Sequence, residues 1–305
     1  MYTVKEIQHA LDVPTTGQWD DLSISAMKNF QYMANCKNKN GLIDDDSVNK
    51  LMSRVTSNYA VQDDIDDCPY TTDLSESTLN IIQKILPNGE YCTDSVTCKY
   101  IFLHHTSGWD SPYATVDDWA KDKRGRIGTH YVIGGKINNK KQYDGVIVQC
   151  IPLGNWAYHL GSQSQHGINL KMQMNSIGIE LCNFGYLTKK AGKYYTYTNT
   201  EVDKSDVIDL GYKFRGYQYW HNYSDHQIES LRLLLIYLID QFKLPKTGLL
   251  EWINSSSPES AFDFNKNSLS GNVHGILSHG NVRKDKTDIY PHPKLIEMLK
   301  SIKFV

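Results

Sequence analysis

The sequence predicts a mixed α/β domain preceded by a small helical unit, and three observations carry that expectation. From about residue 73 onward, short apolar runs of strand length alternate with segments of helical period. Before residue 55, apolar residues recur only at helical spacing. Between them lies a polar stretch, 55–72, with Asp63-Asp64-Ile65-Asp66-Asp67 and Pro69, which has the composition of a solvated linker. The expected division is therefore 1–54, 55–72 and 73–305.

Within the first unit, Val4, Ile7 and Leu11 mark a helix that Pro14 and Gly17 break. A second helix, capped by Asp20 or Asp21, puts Ile24, Met27, Phe30 and Met33 on one face. Gly41-Leu42-Ile43-Asp44 then turns into a short third helix carrying Val48 and Leu51. No internal repeat is apparent.

In the larger unit, Leu79, Ile82, Ile85 and Leu86 predict a leading helix closed by Pro87-Asn88-Gly89. Tyr100-Ile101-Phe102-Leu103 has no polar face, so it reads as a buried strand. Tyr131-Val132-Ile133 ends at Gly134-Gly135, and Val146-Ile147-Val148 follows a polar loop, which predicts a hairpin. Residues 177–181 form another strand. Ser224-x-x-Gln227 reads as a capping box opening the clearest helix, through Ile228, Leu231, Leu235, Leu238 and Phe242 to Pro245. The polar, tyrosine-rich stretch 189–219 reads as a surface excursion.

Composition narrows the function. A formal net charge of −2 over 305 residues provides no basic field for nucleic acid. The longest strictly apolar run, Leu233–Ile239, falls well short of the ~20 residues that cross a bilayer, so no membrane insertion is expected. The N-terminus lacks the charged flank and apolar core of a secretory signal. The expectation is synthesis in a cytoplasm, with any access to an outer compartment depending on a separate export or lysis factor. Cys36, Cys68, Cys92, Cys98, Cys150 and Cys182 form no CxxC pair, which predicts free thiols; a Cys92–Cys98 pair is the alternative.

Three residues offer metal-binding chemistry. His104 ends a buried strand, whereas His279 and Asp288 stand nine positions apart, too far for one helical face. Two imidazoles and a carboxylate suit a catalytic zinc ion, which takes three protein ligands and keeps one open position. The arrangement requires the 279–288 loop to fold back on itself. Spacing alone is weak support, since such trios can be assembled from many sequences. Glu180 adds an acid at the end of the apolar strand Ser176-Ile177-Gly178-Ile179-Glu180-Leu181.

Five motifs in order strengthen the case: Ile101–Thr106, Gly128-Thr129-His130-Tyr131-Val132-Ile133, Trp156-Ala157-Tyr158-His159-Leu160-Gly161, Ser176–Leu181 and His279–Asp288. Together they resemble the zinc-dependent N-acetylmuramoyl-L-alanine amidases, a family that includes phage endolysins and amidase-type peptidoglycan recognition proteins. The resemblance implies a central mixed sheet flanked by helices, with Zn2+ in a groove that holds the glycan–peptide junction of bacterial peptidoglycan. It places the metal ligands on His104, His279 and Asp288, with His105 as an alternative to His104. The acid/base falls on Glu180 and the oxyanion-stabilising lysine on Lys286. His130 and His159 match groove positions, and Trp156 and Asn183 are further candidates for substrate contact. Thr129 stands where some members carry a tyrosine, so that proton donor is missing.

At the N-terminus, Thr16-Gly17-Gln18-Trp19-Asp20, Phe30-Gln31 and Gly41-Leu42-Ile43-Asp44 resemble a three-helix peptidoglycan-binding domain. Asp45-Asp46-Ser47 replaces that family's Gly-x-x-Gly-Thr, which bears on glycan binding more than on fold. The expected protein is a monomeric wall amidase acting as a phage endolysin. A non-catalytic wall-binding module and a tail-associated lysin are the alternatives.

Overall fold

A computed structural model describes residues 2–11, 15–33, 36–59, 79–94, 97–138, 140–255 and 257–302, in two compact units, Met1–Leu74 and Ser75–Val305. The first unit holds three helices, α1 (Val4–Ala10), α2 (Asp21–Met33) and α3 (Asp45–Tyr59). Ile7, Leu11, Met27, Phe30 and Leu51 form its core. The third helix is longer than expected and runs past residue 54. The rest of the expected linker, from 60 to 72, lies outside the described residues.

This unit contains a repeat that periodicity did not reveal. Gly17-Gln18-Trp19-Asp20-Asp21-Leu22-Ser23 and Gly41-Leu42-Ile43-Asp44-Asp45-Asp46-Ser47 share the pattern G-x-x-D-D-x-S, and each opens a helix. In the first copy, buried Gln8 donates to the Ser23 hydroxyl and the Gln18 carbonyl and accepts the Gly17 N–H. In the second, Gln31 treats Ser47, Leu42 and Gly41 in the same way. Asp20 and Asp44 each accept the N–H of the serine three residues on, at 2.9 Å, as helix caps do. Both glycines have positive φ, and a Cβ on Gly41 would sit 2.5 Å from the Ile24 carbonyl oxygen. The glutamines precede their glycines by nine and ten residues, so the two copies fall out of step.

The second unit runs β1 (Ile81–Gln83), β2 (Tyr100–His105), β3 (Tyr131–Ile133), β4 (Ile147–Gln149) and β5 (Ser176–Leu181). It continues through β6 (Tyr186–Lys190), β7 (Lys193–Tyr195), β8 (Glu201–Val202), β9 (Val207–Phe214) and β10 (Tyr217–His221) to β11 (Gly275–Ser278). Its helices are α4 (Pro112–Trp119), the short α5 (Gln163–His166) and α6 (Leu170–Met174), and the long α7 (Asp225–Phe242). After them come α8 (Leu249–Trp252), α9 (Lys266–Leu269), α10 (His279–Val282) and α11 (Pro293–Ser301).

A six-stranded mixed sheet has the order β1-β4-β3-β5-β2-β11, and only the β3–β4 hairpin is antiparallel. On one face, Val132, Val148, Cys150 and Cys182 pack against Val116, Tyr113 and Trp119 of α4. The alternate residues Tyr131 and Ile133 face the side of α7, whose buried stripe includes Leu231, Leu234, Leu235 and Leu238. The arrangement is an α/β fold with a central mixed sheet flanked by helices.

Three local expectations change. The segment read as a leading helix contains strand β1, pairing parallel with β4; four apolar residues over so short a stretch fit either period. Ser224 caps α7 through the Gln227 N–H, but Gln227 does not complete the box. Its side chain instead donates to the carbonyls of Ile133, Gly134 and Cys182, tying α7 to two strand ends. The tyrosine-rich excursion is an ordered five-stranded antiparallel sheet, β8-β7-β6-β10-β9, over a core of Ile137, Phe184, Leu187, Tyr194 and Val202. The five described cysteines are free and buried, and Cys68 lies outside the described residues. Among the described residues no helix is long and apolar enough to cross a membrane.

Candidate active site

Three neighbouring parallel strands deliver the site. In register, His104 on β2 stands beside Glu180 on β5, and Leu103 pairs with Ser278, so His279 follows at the level of His104. Ser278 caps the turn α10 and makes a capping box with Asn281, which fixes how His279 leaves the strand. The return of Asp288 is locked by its backbone carbonyl, which accepts the Gly280 N–H at 3.0 Å. The loop therefore does fold back. His104 Nδ1, His279 Nδ1 and Asp288 Oδ2 lie 2.9–3.1 Å from one another, and all three residues are buried.

The second nitrogen of each ring decides what the first one offers. Ser176 spends its hydroxyl proton on the Gln173 carbonyl at 2.8 Å, so it accepts from His159 Nε2–H at 2.7 Å. His159 Nδ1 is then an acceptor for His104 Nε2–H at 3.0 Å, which leaves His104 Nδ1 with a bare lone pair. His279 Nε2 faces the Leu160 carbonyl at 3.4 Å, an acceptor only, so its proton belongs there too. Burial pushes His104 down to about 4 and so keeps it neutral. With one proton of each ring placed on its second nitrogen, the two Nδ1 lone pairs and the Asp288 carboxylate oxygen converge on one point. Such a set repels itself unless a cation occupies its centre. Zinc donors in a tetrahedron stand roughly 3.3 Å apart, so these residues fit that ion with small outward shifts.

Glu180 lies beside this set. Its Oε2 is buried and has no hydrogen-bond partner among the described residues. Burial, then Asp288, push its carboxyl well above the ordinary carboxylate range, and Lys286 opposes them. Lys286 itself is half-buried. Glu180 forms part of the wall of a cavity of about 230 Å³, along with Thr106, Trp109, Ser111, Thr115 and Asp118. Ser111, Thr115 and Asp118 follow the i, i+4, i+7 stripe of α4 and its cap, so one helix face makes one wall.

Not every residue expected at the site is there. His105 alternates to the opposite sheet face, with Nδ1 3.0 Å from the Tyr223 hydroxyl, so it does not join the ligand set. His130 is buried, donating from Nε2 to the Asn155 carbonyl and accepting the Gly178 N–H at Nδ1, which leaves nothing for substrate. Trp156 is buried and gives its indole N–H to Asp94. Asn183 is buried, and its amide is spent on the carbonyls of His221 and Asn222 and the N–H of Gly185. These three are structural ties, because their hydrogen-bonding capacity goes to groups within the fold. His159 touches His104 rather than the open groove. Sequence reasoning missed the groove wall; the helix-opening pair Ser111-Pro112 was the available signal.

A comparison with protein families supplies the remaining observation: the profile described as N-acetylmuramoyl-L-alanine amidase matches residues 94–293, roughly two thirds of the chain. The chain belongs to this amidase family. It is a peptidoglycan amidase, and the matched segment spans every residue of the site just described. Among solved structures it is similar to PlyL, at 14% identity, covering 74% of this chain and 99% of that one with a TM-score of 0.40. It is also similar to the N-acetylmuramoyl-L-alanine amidase LysC from Clostridium intestinale URNW, at 16% identity, covering 74% and 100%, TM-score 0.40. A third is AmpD, at 18% identity, covering 73% and 96%, TM-score 0.38. No curated protein matches the sequence.

Proposed function

We propose that this amidase is zinc-dependent, cuts the bond between N-acetylmuramic acid and the L-alanine of the stem peptide, and serves as a phage endolysin. The observation that carries the metal is the convergence of His104 Nδ1, His279 Nδ1 and Asp288 Oδ2, with the second nitrogen of each ring already engaged. Zinc held there supplies Lewis acidity, polarising the amide carbonyl and acidifying water.

The chain's own residues do the rest. Glu180 takes the proton of the attacking water and returns it to the alanine nitrogen as the C–N bond breaks. Its raised pKa, caused first by burial, suits the return step, since the carboxyl keeps the proton it has taken until the departing nitrogen can receive it. Lys286, whose charge is felt at Glu180, offsets negative charge growing on the carbonyl oxygen. His159, backed by Ser176 and the Gln173 carbonyl, keeps His104 in the tautomer that presents Nδ1. The stem peptide lies in the groove along α4, against Trp109.

The endolysin assignment draws on the pairing of this catalytic unit with an N-terminal unit resembling a wall-binding domain, and the protein acts as a monomer. The decisive experiment has two parts. Metal analysis of purified protein is expected to find about one zinc per chain, and digestion of purified peptidoglycan to release alanine amino groups without reducing sugar ends. Full activity after complete metal removal would end the zinc reading, and new reducing ends would indicate a glycosidase. Recovery of the protein in purified virions would indicate a tail-associated lysin.

A further inference from the structure

The inserted second sheet reaches the segment that carries two of the three metal-binding residues, and an arginine at its hairpin tip makes three of the bonds that join them. Phe214 pairs with Tyr217, so Arg215-Gly216 is a two-residue hairpin loop between β9 and β10. Both residues have positive φ, +51° and +89°, the pattern of a type I′ turn, where asparagine or glycine at the first position would be unstrained. An arginine there is unexpected on turn chemistry alone.

Its side chain accounts for it. Arg215 Nη1 donates to the Lys284 carbonyl at 2.8 Å. Nη2 donates to the Gly280 carbonyl at 3.1 Å and to the Phe262 carbonyl at 3.5 Å. Gly280 and Lys284 bracket the turn that follows His279 and lead to Lys286 and Asp288. One planar head thus ties both ends of this stretch to the neighbouring Pro258–Phe262 turn. The excursion is attached to the chemistry by a fork of donors that lysine cannot reproduce.

We infer that Arg215 is a positioning residue: it holds the 280–284 backbone so that His279 and Asp288 stay at ligand distance from His104. The inserted sheet serves as the rigid mount for that clamp. The inference rests on the metal-site reading for its zinc readout, but not for its effect on the backbone.

The test compares the full-length parent with Arg215→Ala and Arg215→Lys. Zinc affinity is measured by competition with a chromophoric chelator, and amide hydrogen exchange is followed in the metal-free proteins. Arg215→Ala is expected to bind zinc at least tenfold more weakly. The Gly280 and Arg283 amides, bonded to Asp288 and His279 carbonyls, are expected to exchange faster, while amides of β10 stay protected. Millimolar guanidinium is expected to restore part of the zinc affinity of Arg215→Ala, which a general loss of stability would not allow. If the alanine variant does not fold, Arg215→Lys carries the test, because its donors all leave one nitrogen and cannot span carbonyls that the fork reaches from two. Zinc affinity within twofold of the parent, with unchanged exchange at Gly280 and Arg283, overturns the proposal. If the parent binds no zinc, the metal reading fails by itself and the exchange comparison alone judges the clamp.

Discussion

Glu180 leaves one buried carboxyl oxygen unbonded beside an ionised Asp288, an arrangement that costs stability unless it serves proton transfer. Glu180→Gln keeps the volume and removes the titration. Zinc content is expected to stay at the parent value while turnover falls by ~10²–10⁴; equal lysis by parent and variant would show Glu180 to be structural. Lys286→Ala is expected to keep zinc as well and lose rate, by ~10²–10³ if it acts as an oxyanion donor does. Ser176→Ala tests the tautomer chain. Without the hydroxyl, His159 Nε2–H has no acceptor, the ring is free to move its proton to Nδ1, and His104 loses its partner. Zinc affinity should drop ~10–100-fold with the fold retained, measured by chelator competition. An unchanged affinity would mean that His104 is oriented by packing alone.

At the scale of elements, α4 and the loop before it form the groove, and Trp109 stands at its rim with 58% of its surface exposed and its ring edge-on to Phe184. An indole left open on the cavity that Glu180 also lines is apolar area available to a ligand. Trp109→Ala is expected to raise KM for wall fragments roughly three- to tenfold, in line with one aromatic contact, and to leave kcat nearly unchanged. A fall in kcat with constant KM would put the indole's role in the chemistry. The elements also show what sequence could reveal. The strands β2 and β5 were legible because Ile101-Phe102-Leu103 and Ile177-Gly178-Ile179 offer no polar face, and His104 and Glu180 could be placed at their ends for that reason. The ligand role of Asp288 came from resemblance, since nothing local announces a loop that folds back. Strand β1 was hidden by its brevity. The groove wall and the second sheet were hidden because their residues are polar and are organised only by contacts distant in sequence. His130, Trp156 and Asn183 were assigned to the groove from resemblance, and their burial and bonding partners could not be seen: a buried, bonded polar side chain looks the same in sequence as one aimed at substrate.

Across the whole molecule, buried histidines set the response to acid. Burial, the largest cause in each case, pushes His105, His130, His221 and His292 down to about 4 from an ordinary value of 6.5. Unfolded, these rings take up protons near pH 6.5; folded, they refuse them until about pH 4. Between those values the unfolded chain binds more protons, so stability falls as pH falls through that window and is fully present above it. The contribution is on the order of a few kcal/mol for a fully buried ring. Asp285, drawn down to about 2 by Arg283, adds to the loss only below about pH 5, where an unfolded aspartate begins to take up a proton. Urea midpoints of the metal-free protein should therefore drop between pH 7 and pH 4.5. A midpoint flat over that range would show that these rings gain no protons on unfolding.

The strand order has a consequence in time. β11 is an edge strand of the sheet, beside β2, and the last of its strands in chain order, and His279 lies 175 residues after His104. At ~5–20 residues per second, a ribosome needs roughly ten to thirty-five seconds to go from one to the other. Once β5 has been made, the nascent chain can pair β2 with β5 and bring Glu180 beside His104, yet it still owns one of the three proposed ligands. On the zinc reading, a chain that stops upstream of Gly275 keeps Glu180 and His104 but lacks two of the three proposed ligands, and it is expected to release no alanine amino groups from peptidoglycan.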